Sequence, residues 1–287
     1  MEQLDQIRAL RDRLVTLRRR GGRIAFVPTM GNLHRGHIEL VRQAAALAEH
    51  VVVSIYVNPT QFGEGEDLAA YPRTLQQDRE KLEQEGVALL FTPNDGEIYP
   101  PQREGTGDQQ VRVEVAGLSE LLCGASRPGH FTGVASVVSK LFNIVQPDIA
   151  LFGEKDFQQL LVIRQLVEQL NFPIEVVGVP TYREKDGLAM SSRNGYLTPQ
   201  QREQAPRLYH TLQWVKGQLV AGRRDFESIE QEAREPLEME GFRLDYLLIR
   251  HPATLQPIET AGQKWVVLVA AWLGNTRLID NYQVNLR

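Results

Sequence analysis

Cysteine, basic charge and long apolar runs are all scarce in this sequence of 287 residues. The single cysteine, Cys123, cannot form an internal disulfide. The 32 Lys and Arg residues are outnumbered by 36 Asp and Glu residues, and the net charge of −4 offers no basic footprint for DNA or RNA. The longest apolar runs, 51–57 and 265–273, are far shorter than the roughly 20 residues that cross a bilayer. We therefore expect a cytoplasmic protein that binds neither nucleic acid nor membrane.

Two common phosphate-binding motifs are also missing. The sequence contains no G-x-x-x-x-G-K-S/T motif and no G-x-G-x-x-G motif after its first predicted strand. A P-loop ATPase and an ordinary dinucleotide dehydrogenase are therefore poor candidates.

Alternating strands and helices predict an α/β fold over the first two thirds of the chain. Short apolar runs of this kind form strands buried on both faces, as in a Rossmann-like parallel sheet. The predicted strands are 24–27, 51–57, 88–91, 149–152 and 174–179, and the predicted helices are 38–49, 75–85, 134–145 and 157–170. In such a sheet ligands bind beyond the carboxyl ends of the strands, so the loops after the strands are where chemistry is expected.

The pattern changes after about residue 180. A loop rich in charged and small residues leads into predicted helices 200–219 and 225–240, the second with Asp225 at its N-cap. Predicted strands 244–249, 264–271 and 276–280 follow, with a hairpin turn at Gly274-Asn275. At roughly 150 residues per domain we expect two domains, a catalytic domain at 1–180 and a smaller α+β domain at 181–287.

The segment between the first predicted strand and its helix carries two histidines, His34 and His37, with Gly36 between them. A helix start offers unpaired backbone N–H groups and a partial positive charge, which suit a phosphate. Gly31 and Gly36 allow the backbone to approach a ligand closely. Two alternatives stay open on the residues alone: an exposed polar turn, or a metal bound through His-x-x-His, although that spacing differs from the H-E-x-x-H helix pattern.

The H-x-G-H element resembles that of the nucleotidyltransferase superfamily, which includes class I aminoacyl-tRNA synthetases. Four further segments narrow the resemblance to the pantothenate synthetase family, also called pantoate–β-alanine ligases. The five matching segments are 28–37, 57–62, 127–134, 153–159 and 183–194. The resemblance runs from about residue 24 to residue 198 and more loosely beyond.

The resemblance implies a reaction in two steps. Pantoate and ATP give pantoyl adenylate and pyrophosphate, and β-alanine then attacks the adenylate to give pantothenate and AMP. By the same resemblance His34, His37 and Lys155 are catalytic, with His37 the assigned proton donor. The ATP-binding residues that it implies are Met30, Gly31, Asn32, Leu33, His34, Arg35, Gly36, His37, Gly153, Glu154, Lys155, Asp156, Tyr182, Met190, Ser191, Ser192 and Arg193.

Each group of ATP residues has a physical rationale. Lys155 supplies a cation where a predicted strand meets a helix, whereas Asp156 could equally be a helix cap. Ser191, Ser192 and Arg193 resemble the K-M-S-K-S loop of the superfamily, expected to close over the triphosphate, with arginine in place of the terminal lysine. A guanidinium can bind two phosphate oxygens at once.

Gln61 and Gln159 are the pantoate-binding residues implied by the resemblance, and Gln61 is also implied to meet β-alanine. Both follow predicted strands at the same sheet edge, and Asn58 is expected to support their pocket. Carboxamides can pair with hydroxyls and a carboxylate without adding charge. Arg127 and His130 lie in a matched segment and receive no role beyond shaping the pocket.

Two other functions stand beside the ligase as alternatives. Another H-x-G-H adenylyltransferase would need extra cations for a phosphorylated acceptor, where this sequence offers Gln61 and Gln159. A non-catalytic nucleotide-binding or metal-binding module would not need His34, His37 and Lys155 together. We expect Mg²⁺ to arrive with ATP, held by phosphates and water without a dedicated protein metal site, and we expect a homodimer.

Overall fold

The computed structural model describes residues 1–100, 111–258 and 262–286, and its chain forms two compact units. Residue contacts divide the units as follows: the first contains Met1–Glu120, Arg127–Glu154 and Gln159–Pro180, and the second contains Leu121–Ser126, Lys155–Gln158 and Thr181–Arg287. Two short segments from the first 180 residues therefore group with the C-terminal part of the chain.

The first unit contains a six-stranded sheet of order β1-β4-β3-β2-β5-β6, in which every neighbouring pair is parallel. Its strands are β1 Glu2–Leu4, β2 Ile24–Thr29, β3 His50–Ile55, β4 Leu89–Phe91, β5 Ile149–Gly153 and β6 Glu175–Val179. The α/β prediction is confirmed, and so are the five predicted strands, within three residues at each end. The short β1 was not expected, because the N-terminus has the pattern of a helix alone.

Helices account for much of the remaining described chain. They are α1 Ile7–Arg19, α2 Arg35–Leu47, α3 Leu75–Gln84, α4 Asp95–Ile98, α5 Cys123–Ser126, α6 His130–Val145, α7 Phe157–Gln169, α8 Pro199–Gln204, α9 Arg207–Val220 and α10 Phe226–Met239. The single helix predicted at 200–219 is wrong, because α8 and α9 are separate. Pro206 stands between them, and a proline lacks the N–H that would continue the helix.

The burial of β2 and β3 explains why their sequences are continuously apolar. Residues 24–27 of β2 and 52–53 of β3 are fully buried, as expected for central parallel strands covered on both faces. The two strands run in register to their carboxyl ends, where Thr29 pairs with Ile55 and the N–H of Tyr56 donates to the carbonyl of Thr29 at 3.0 Å. From β2 the chain continues to β3 and β4 on one side of the sheet, and then crosses to β5 and β6 on the other side of β2. The strand order therefore reverses at β2, and its carboxyl end is a topological switch point.

The second unit contains the antiparallel sheet β7-β8-β9, with β7 Phe242–Arg250, β8 Lys264–Leu273 and β9 Thr276–Asn285. The predicted hairpin is confirmed: β8 and β9 pair across Gly274, whose φ is +59°. Trp265 is fully buried in the core with apolar residues of α9 and α10. Asp225 does precede α10, but its carboxylate pairs with Arg223 instead of capping the helix. Within the described ranges, no helix has the length and apolar character required to span a membrane.

Candidate active site

The turn between β2 and α2 has a left-handed backbone at two successive residues. Gly31 has φ of +81°, and Asn32 follows with φ of +50°. A Cβ on Gly31 would lie 3.0 Å from a side-chain methyl of β3 and 3.4 Å from an oxygen of Asp78, so both the backbone angle and the tight surroundings favour glycine. The hydroxyl of Thr29 donates to a carbonyl of β3 at 2.8 Å and accepts the N–H of Gly31 at 3.2 Å. The start of the turn is therefore anchored to the neighbouring strand.

The carboxylate of Asp78, which sequence analysis did not single out, holds the middle of this turn. Asp78 lies in the first turn of α3 with none of its surface exposed. Its two oxygens accept the backbone N–H groups of Asn32 and Leu33, each at 2.8 Å, and the hydroxyl of Thr74 at 3.1 Å. Lys81, one turn further along α3, donates to the carbonyl of Leu33 at 2.7 Å. Helix α3 thus satisfies three backbone groups of the turn that precedes the two histidines.

His34 and His37 form a reciprocal cap at the start of α2. Nδ1 of His34 accepts the N–H of Gly36 at 3.1 Å, and Nδ1 of His37 accepts the N–H of His34 at 3.2 Å. The two ring centroids are 4.0 Å apart with the planes inclined by 36°. The motif spacing therefore has a structural function in addition to any ligand contact, because it satisfies two of the backbone donors that a helix start leaves open.

These hydrogen bonds also determine the tautomer of both rings. A nitrogen that accepts a backbone N–H carries no proton, so each neutral ring carries its proton on Nε2. Protonation of either ring would set an Nδ1–H against a backbone N–H and break the cap. A neutral His34 or His37 ring in this cap would therefore have its N–H donor at Nε2. The remaining residues of the predicted ATP segment, Met30–Leu33 and Arg35–Gly36, lie on the same turn, where Leu33 is buried and Arg35 is exposed.

Gln61 lies in a short 3-10 turn, Pro59–Gln61, just after β3. The buried Asn58 donates from Nδ2 to Oε1 of Gln61 at 3.1 Å, and its own Oδ1 accepts the hydroxyls of Tyr99 at 2.9 Å and Thr60 at 3.0 Å. Because Asn58 donates to the amide oxygen, Gln61 is oriented with its NH₂ group as the donor for other partners. Asn58, which is expected to support a pantoate pocket, thus hydrogen-bonds directly to the side chain of Gln61.

Arg127 and His130 contact the backbone of Gln61, a role that the sequence did not reveal. Nδ1 of His130 lies 2.7 Å from the carbonyl oxygen of Gln61, and Arg127 donates to the same oxygen at 3.2 Å. Arg127 also donates to Nε2 of His130 at 3.0 Å, which leaves Nδ1–H as the donor toward Gln61. Glu66 holds the guanidinium of Arg127 with two hydrogen bonds, of 2.8 and 2.5 Å. Burial raises the pKa of Glu66, but the hydrogen bonds and charge of Arg127 outweigh it, and the net pKa is lowered.

Helix α6 approaches the Gln61 turn closely through Gly133. A Cβ at this position would lie 2.6 Å from the carbonyl carbon of Thr60 and closer still to its oxygen. The carbonyl of Gly133 also accepts a hydrogen bond from Asn58 at 3.3 Å. A side chain of any size at residue 133 would therefore have to displace the backbone of the turn that carries Gln61.

Strand β5 ends at Gly153, and the 3-10 turn Glu154–Asp156 leads into α7. The ammonium of Lys155 lies 3.7 Å from a carboxylate oxygen of Asp156, and its side chain is mostly buried. Gln159 lies two residues after the start of α7 and is half-buried. Gly153, Glu154 and Gln159 belong to the first unit, whereas Lys155 and Asp156 belong to the second.

The predicted phosphate loop is an ordered hairpin followed by a 3-10 turn. The N–H of Met190 donates to the carbonyl of Tyr182 at 3.0 Å, and Arg183 and Ala189 form an antiparallel bridge. The hydroxyl of Ser191 then caps the 3-10 turn Ser192–Tyr196 by accepting the N–H of Arg193 at 3.3 Å. The small hydroxyl residue at position 191 therefore has a local structural role alongside its predicted contact with phosphate.

A parallel α/β sheet carries the H-x-G-H turn at its switch point, which is the arrangement expected from the resemblance to a ligase family. The profile of the family described as pantoate-beta-alanine ligase matches residues 2–283, almost the whole chain. The chain belongs to the pantoate–β-alanine ligase family.

Individual relatives agree with the family assignment along the full length. The chain is 56% identical over 286 residues to a protein named pantothenate synthetase from Pseudomonas entomophila, covering 100% of this chain and 98% of the relative. It is 48% identical to the crystal structure of pantothenate synthetase from Thermus thermophilus, with a TM-score of 0.92 and 100% of both chains covered. A third match is the pantoate-beta-alanine ligase of Francisella tularensis, complexed with beta-gamma ATP and beta-alanine, at 34% identity, a TM-score of 0.79 and coverage of 98% and 97%.

The activity follows from this membership. The enzyme is a ligase that forms an amide bond: with ATP it condenses (R)-pantoate with β-alanine to give pantothenate, AMP and pyrophosphate through a pantoyl adenylate. The adenylyltransferase alternative finds no support among these relatives, which are named pantothenate synthetase or pantoate-beta-alanine ligase.

Proposed function

We propose that the residues implied by the family resemblance carry out this reaction in the chain described here. His34, His37 and Lys155 act on the phosphates of ATP, and Gln61 and Gln159 bind pantoate, with Gln61 also contacting β-alanine. The proposed ATP contacts comprise Met30–His37, Gly153–Asp156, Tyr182 and Met190–Arg193. We also propose a functional division at residue 180, with an ATP- and pantoate-binding catalytic domain at 1–180 and a smaller C-terminal domain at 181–287. The observation that carries the proposal is the reciprocal cap, which fixes both histidine rings at one helix start at the end of β2.

In the first step an oxygen of the pantoate carboxylate attacks the α-phosphorus of ATP. A P–O bond forms to the carboxylate, the P–O bond to the β-phosphate breaks, and pyrophosphate leaves with the electron pair. Negative charge grows on the phosphate oxygens, so fixed donors aimed at those oxygens contribute the largest catalytic term. The neutral tautomer supports hydrogen-bond donation by His37 over transfer of its proton, because loss of the Nε2 proton from a neutral ring would leave an imidazolate.

In the second step the amine of β-alanine attacks the acyl carbon of the adenylate. The C–N bond forms, the C–O bond to AMP breaks with the electron pair leaving on AMP, and the nitrogen of the uncharged amine releases one proton to water as the amide is formed. Gln61 suits this step because Asn58 fixes its amide oxygen and Arg127 and His130 fix its backbone carbonyl. A carboxamide held on both sides can orient an uncharged amine without adding charge next to the phosphates.

Magnesium fits this protein as a companion of ATP. Among the residues that the structure describes, there is no cluster of three or more His, Cys, Asp or Glu side chains that could hold a metal ion. Mg²⁺ commonly keeps several waters and binds through substrate phosphates. When bound with ATP, it would neutralise charge on the phosphates that His34, His37, Lys155 and Arg193 are proposed to contact.

We further propose that the protein acts in the cytoplasm as a homodimer, with pantoate, β-alanine and ATP as its small-molecule partners and without nucleic acid or membrane partners. The net charge of −4, which offers no basic footprint, supports the part of this proposal that concerns nucleic acid. Sedimentation of the purified protein over a range of concentrations tests the dimer directly.

The acyl-adenylate route has a sharp isotopic test. Pantoate with both carboxylate oxygens labelled with ¹⁸O should transfer one ¹⁸O to AMP, because the carboxylate oxygen stays on the α-phosphate when the amide forms. With ATP and pantoate but no β-alanine, pyrophosphate should be released. AMP should be released only when β-alanine is added. Formation of ADP, or of AMP that carries no ¹⁸O, would overturn the proposal.

A further inference from the structure

Two adjacent residues of β9, Asp280 and Asn281, connect the Lys155 turn to the base of the hairpin that leads to Met190–Arg193. Asn281 donates from Nδ2 to the carbonyl of Lys155 at 2.9 Å. Asp280 accepts two hydrogen bonds from Arg183, of 2.6 and 2.9 Å, and Arg183 also donates to the carbonyl of Asn281 at 3.3 Å. All of these residues belong to the second unit. Lys155 lies 126 residues before Asn281, and Arg183 lies 97 residues before Asp280. Both therefore contact the same two neighbouring residues of β9.

Asp280 is an acidic residue in a buried position. Only 4% of its surface is exposed, and burial raises the pKa of its carboxyl, which Arg183 opposes through hydrogen bonds and charge. The N–H of Asn281 also donates to the Asp280 carboxylate, at 2.7 Å. A buried ion pair of this kind is a weak stabiliser compared with apolar packing, so its presence is better explained by the geometry that it imposes.

The base of the hairpin is fixed by Arg183 from two directions. Its guanidinium lies 4.1 Å from the ring centroid of Tyr209, and it donates to the carbonyl of Gly187 at 3.1 Å. Gly187 has φ of +94°, and a Cβ there would collide with the ring of Tyr209. Arg183 therefore sets the path of the hairpin that ends at Met190, and Asp280 sets the position of Arg183.

We propose that Asp280 and Asn281 are positioning residues for the adenylation step: Asn281 fixes the backbone of Lys155, and Asp280 fixes, through Arg183, the hairpin that leads to Met190–Arg193. The inference rests on the proposed role of Lys155 and Arg193 at the ATP phosphates. Neither Asp280 nor Asn281 needs to touch ATP. They act by keeping two phosphate-binding segments in the geometry that in-line attack requires, and a misplacement of about 1 Å can cost about a hundredfold in rate.

The test separates the two half-reactions. Pyrophosphate release is measured in a single turnover with saturating pantoate, varied ATP and no β-alanine, and the preformed adenylate is then chased with β-alanine. Asn281→Ala removes the donor to the Lys155 carbonyl, and Asn281→Asp replaces it with an isosteric group that can only accept. Asn285→Ala, an exposed asparagine of the same strand, is the matched control. Thermal unfolding of each variant reports whether it is folded.

We expect Asn281→Ala and Asn281→Asp to lower the second-order rate constant for ATP in pyrophosphate release by about tenfold or more. The β-alanine step should change by less than about twofold, and Asn285→Ala should match the parent in both steps. If either folded Asn281 variant forms the adenylate at the parent rate, or slows both steps equally, the positioning role is wrong. If Asn281→Ala does not fold, the isosteric Asn281→Asp variant decides the question.

A double-mutant cycle distinguishes the positioning role of Asn281 from the proposed phosphate role of Lys155, on which it rests. If Asn281 acts through Lys155, Asn281→Ala should add at most about a twofold loss to Lys155→Ala, whereas independent residues would multiply their losses. Lys155→Ala with the full rate of pyrophosphate release would refute the phosphate role of Lys155. A slow Lys155→Ala beside a normal, folded Asn281→Ala would refute the positioning role alone.

Discussion

Replacement of Asp78 by Asn should weaken the use of ATP while the fold persists. Asp78 accepts two backbone N–H groups of the turn before His34, and a hydrogen bond to a charged group contributes about 1.5–3 kcal/mol. Asn keeps the volume and one acceptor, but its NH₂ group must face the other N–H. We expect a cost of about 2–4 kcal/mol, from the loss of one charge-assisted bond and the burial of opposed donors. At 1.4 kcal/mol for each factor of ten, kcat/KM for ATP should fall by about 30-fold to 1000-fold if the turn bears the cost.

The assay compares kcat/KM for ATP, kcat/KM for β-alanine and thermal unfolding in Asp78→Asn and in Glu80→Gln. Glu80 is an exposed acid on the same helix, paired with Gln76, so the same change from carboxylate to amide should leave its kinetics within about twofold. The value for β-alanine, measured on preformed adenylate, should be nearly unchanged in both. An Asp78→Asn enzyme with normal ATP kinetics would refute the reasoning, and so would a loss of stability alone.

Three further predictions concern His37, Gly133 and Glu66. His37→Gln should retain at least about ten times the activity of His37→Ala in steady-state assays, because an amide nitrogen can replace a neutral Nε2–H donor; equal loss in both would favour proton transfer instead. Gly133→Ala should lower the melting temperature and raise KM for pantoate, because the new Cβ overlaps the carbonyl of Thr60 at a cost of about 1–3 kcal/mol, and an unchanged KM would contradict this. The lowered pKa of Glu66 means that its pairing with Arg127 stabilises the fold above the ordinary value of 4.5 and that this stability is lost as the pH falls through the lowered pKa. The stability difference between the parent and Glu66→Gln in urea should therefore be largest near pH 7 and shrink below about pH 4, and a difference that grows with acid would show the opposite sign.

The sheet could be predicted from the sequence because its strands are buried on both faces. Continuous apolar runs mark β2 and β3 clearly, and the helices between them follow from amphipathic spacing. The failures have local causes. Residues Glu2–Leu4 form an edge strand too short to show a pattern, and Pro206 divides a helix whose apolar spacing continues across the break.

The residues that support the candidate site were harder to find. Asp78 lies 46 residues from the backbone that it holds and resembles any acid in the first turn of a helix. Arg127 and His130 act on a backbone carbonyl 66 and 69 residues away, which no side-chain pattern records. Motifs show which residues share a turn, whereas these contacts depend on how separate elements pack.

The register of β2 and β3 has a consequence for redesign of the enzyme toward other acid substrates. The His34 turn follows one strand and the Gln61 turn follows its neighbour, and the pairing of Thr29 with Ile55 keeps their starting points one strand spacing apart, about 4.8 Å. Because backbone hydrogen bonds between the strands maintain this spacing, it does not depend on the side chain of Gln61. Substitutions at Gln61 would therefore test the proposed recognition of the acid while leaving the backbone of the His34 turn in place.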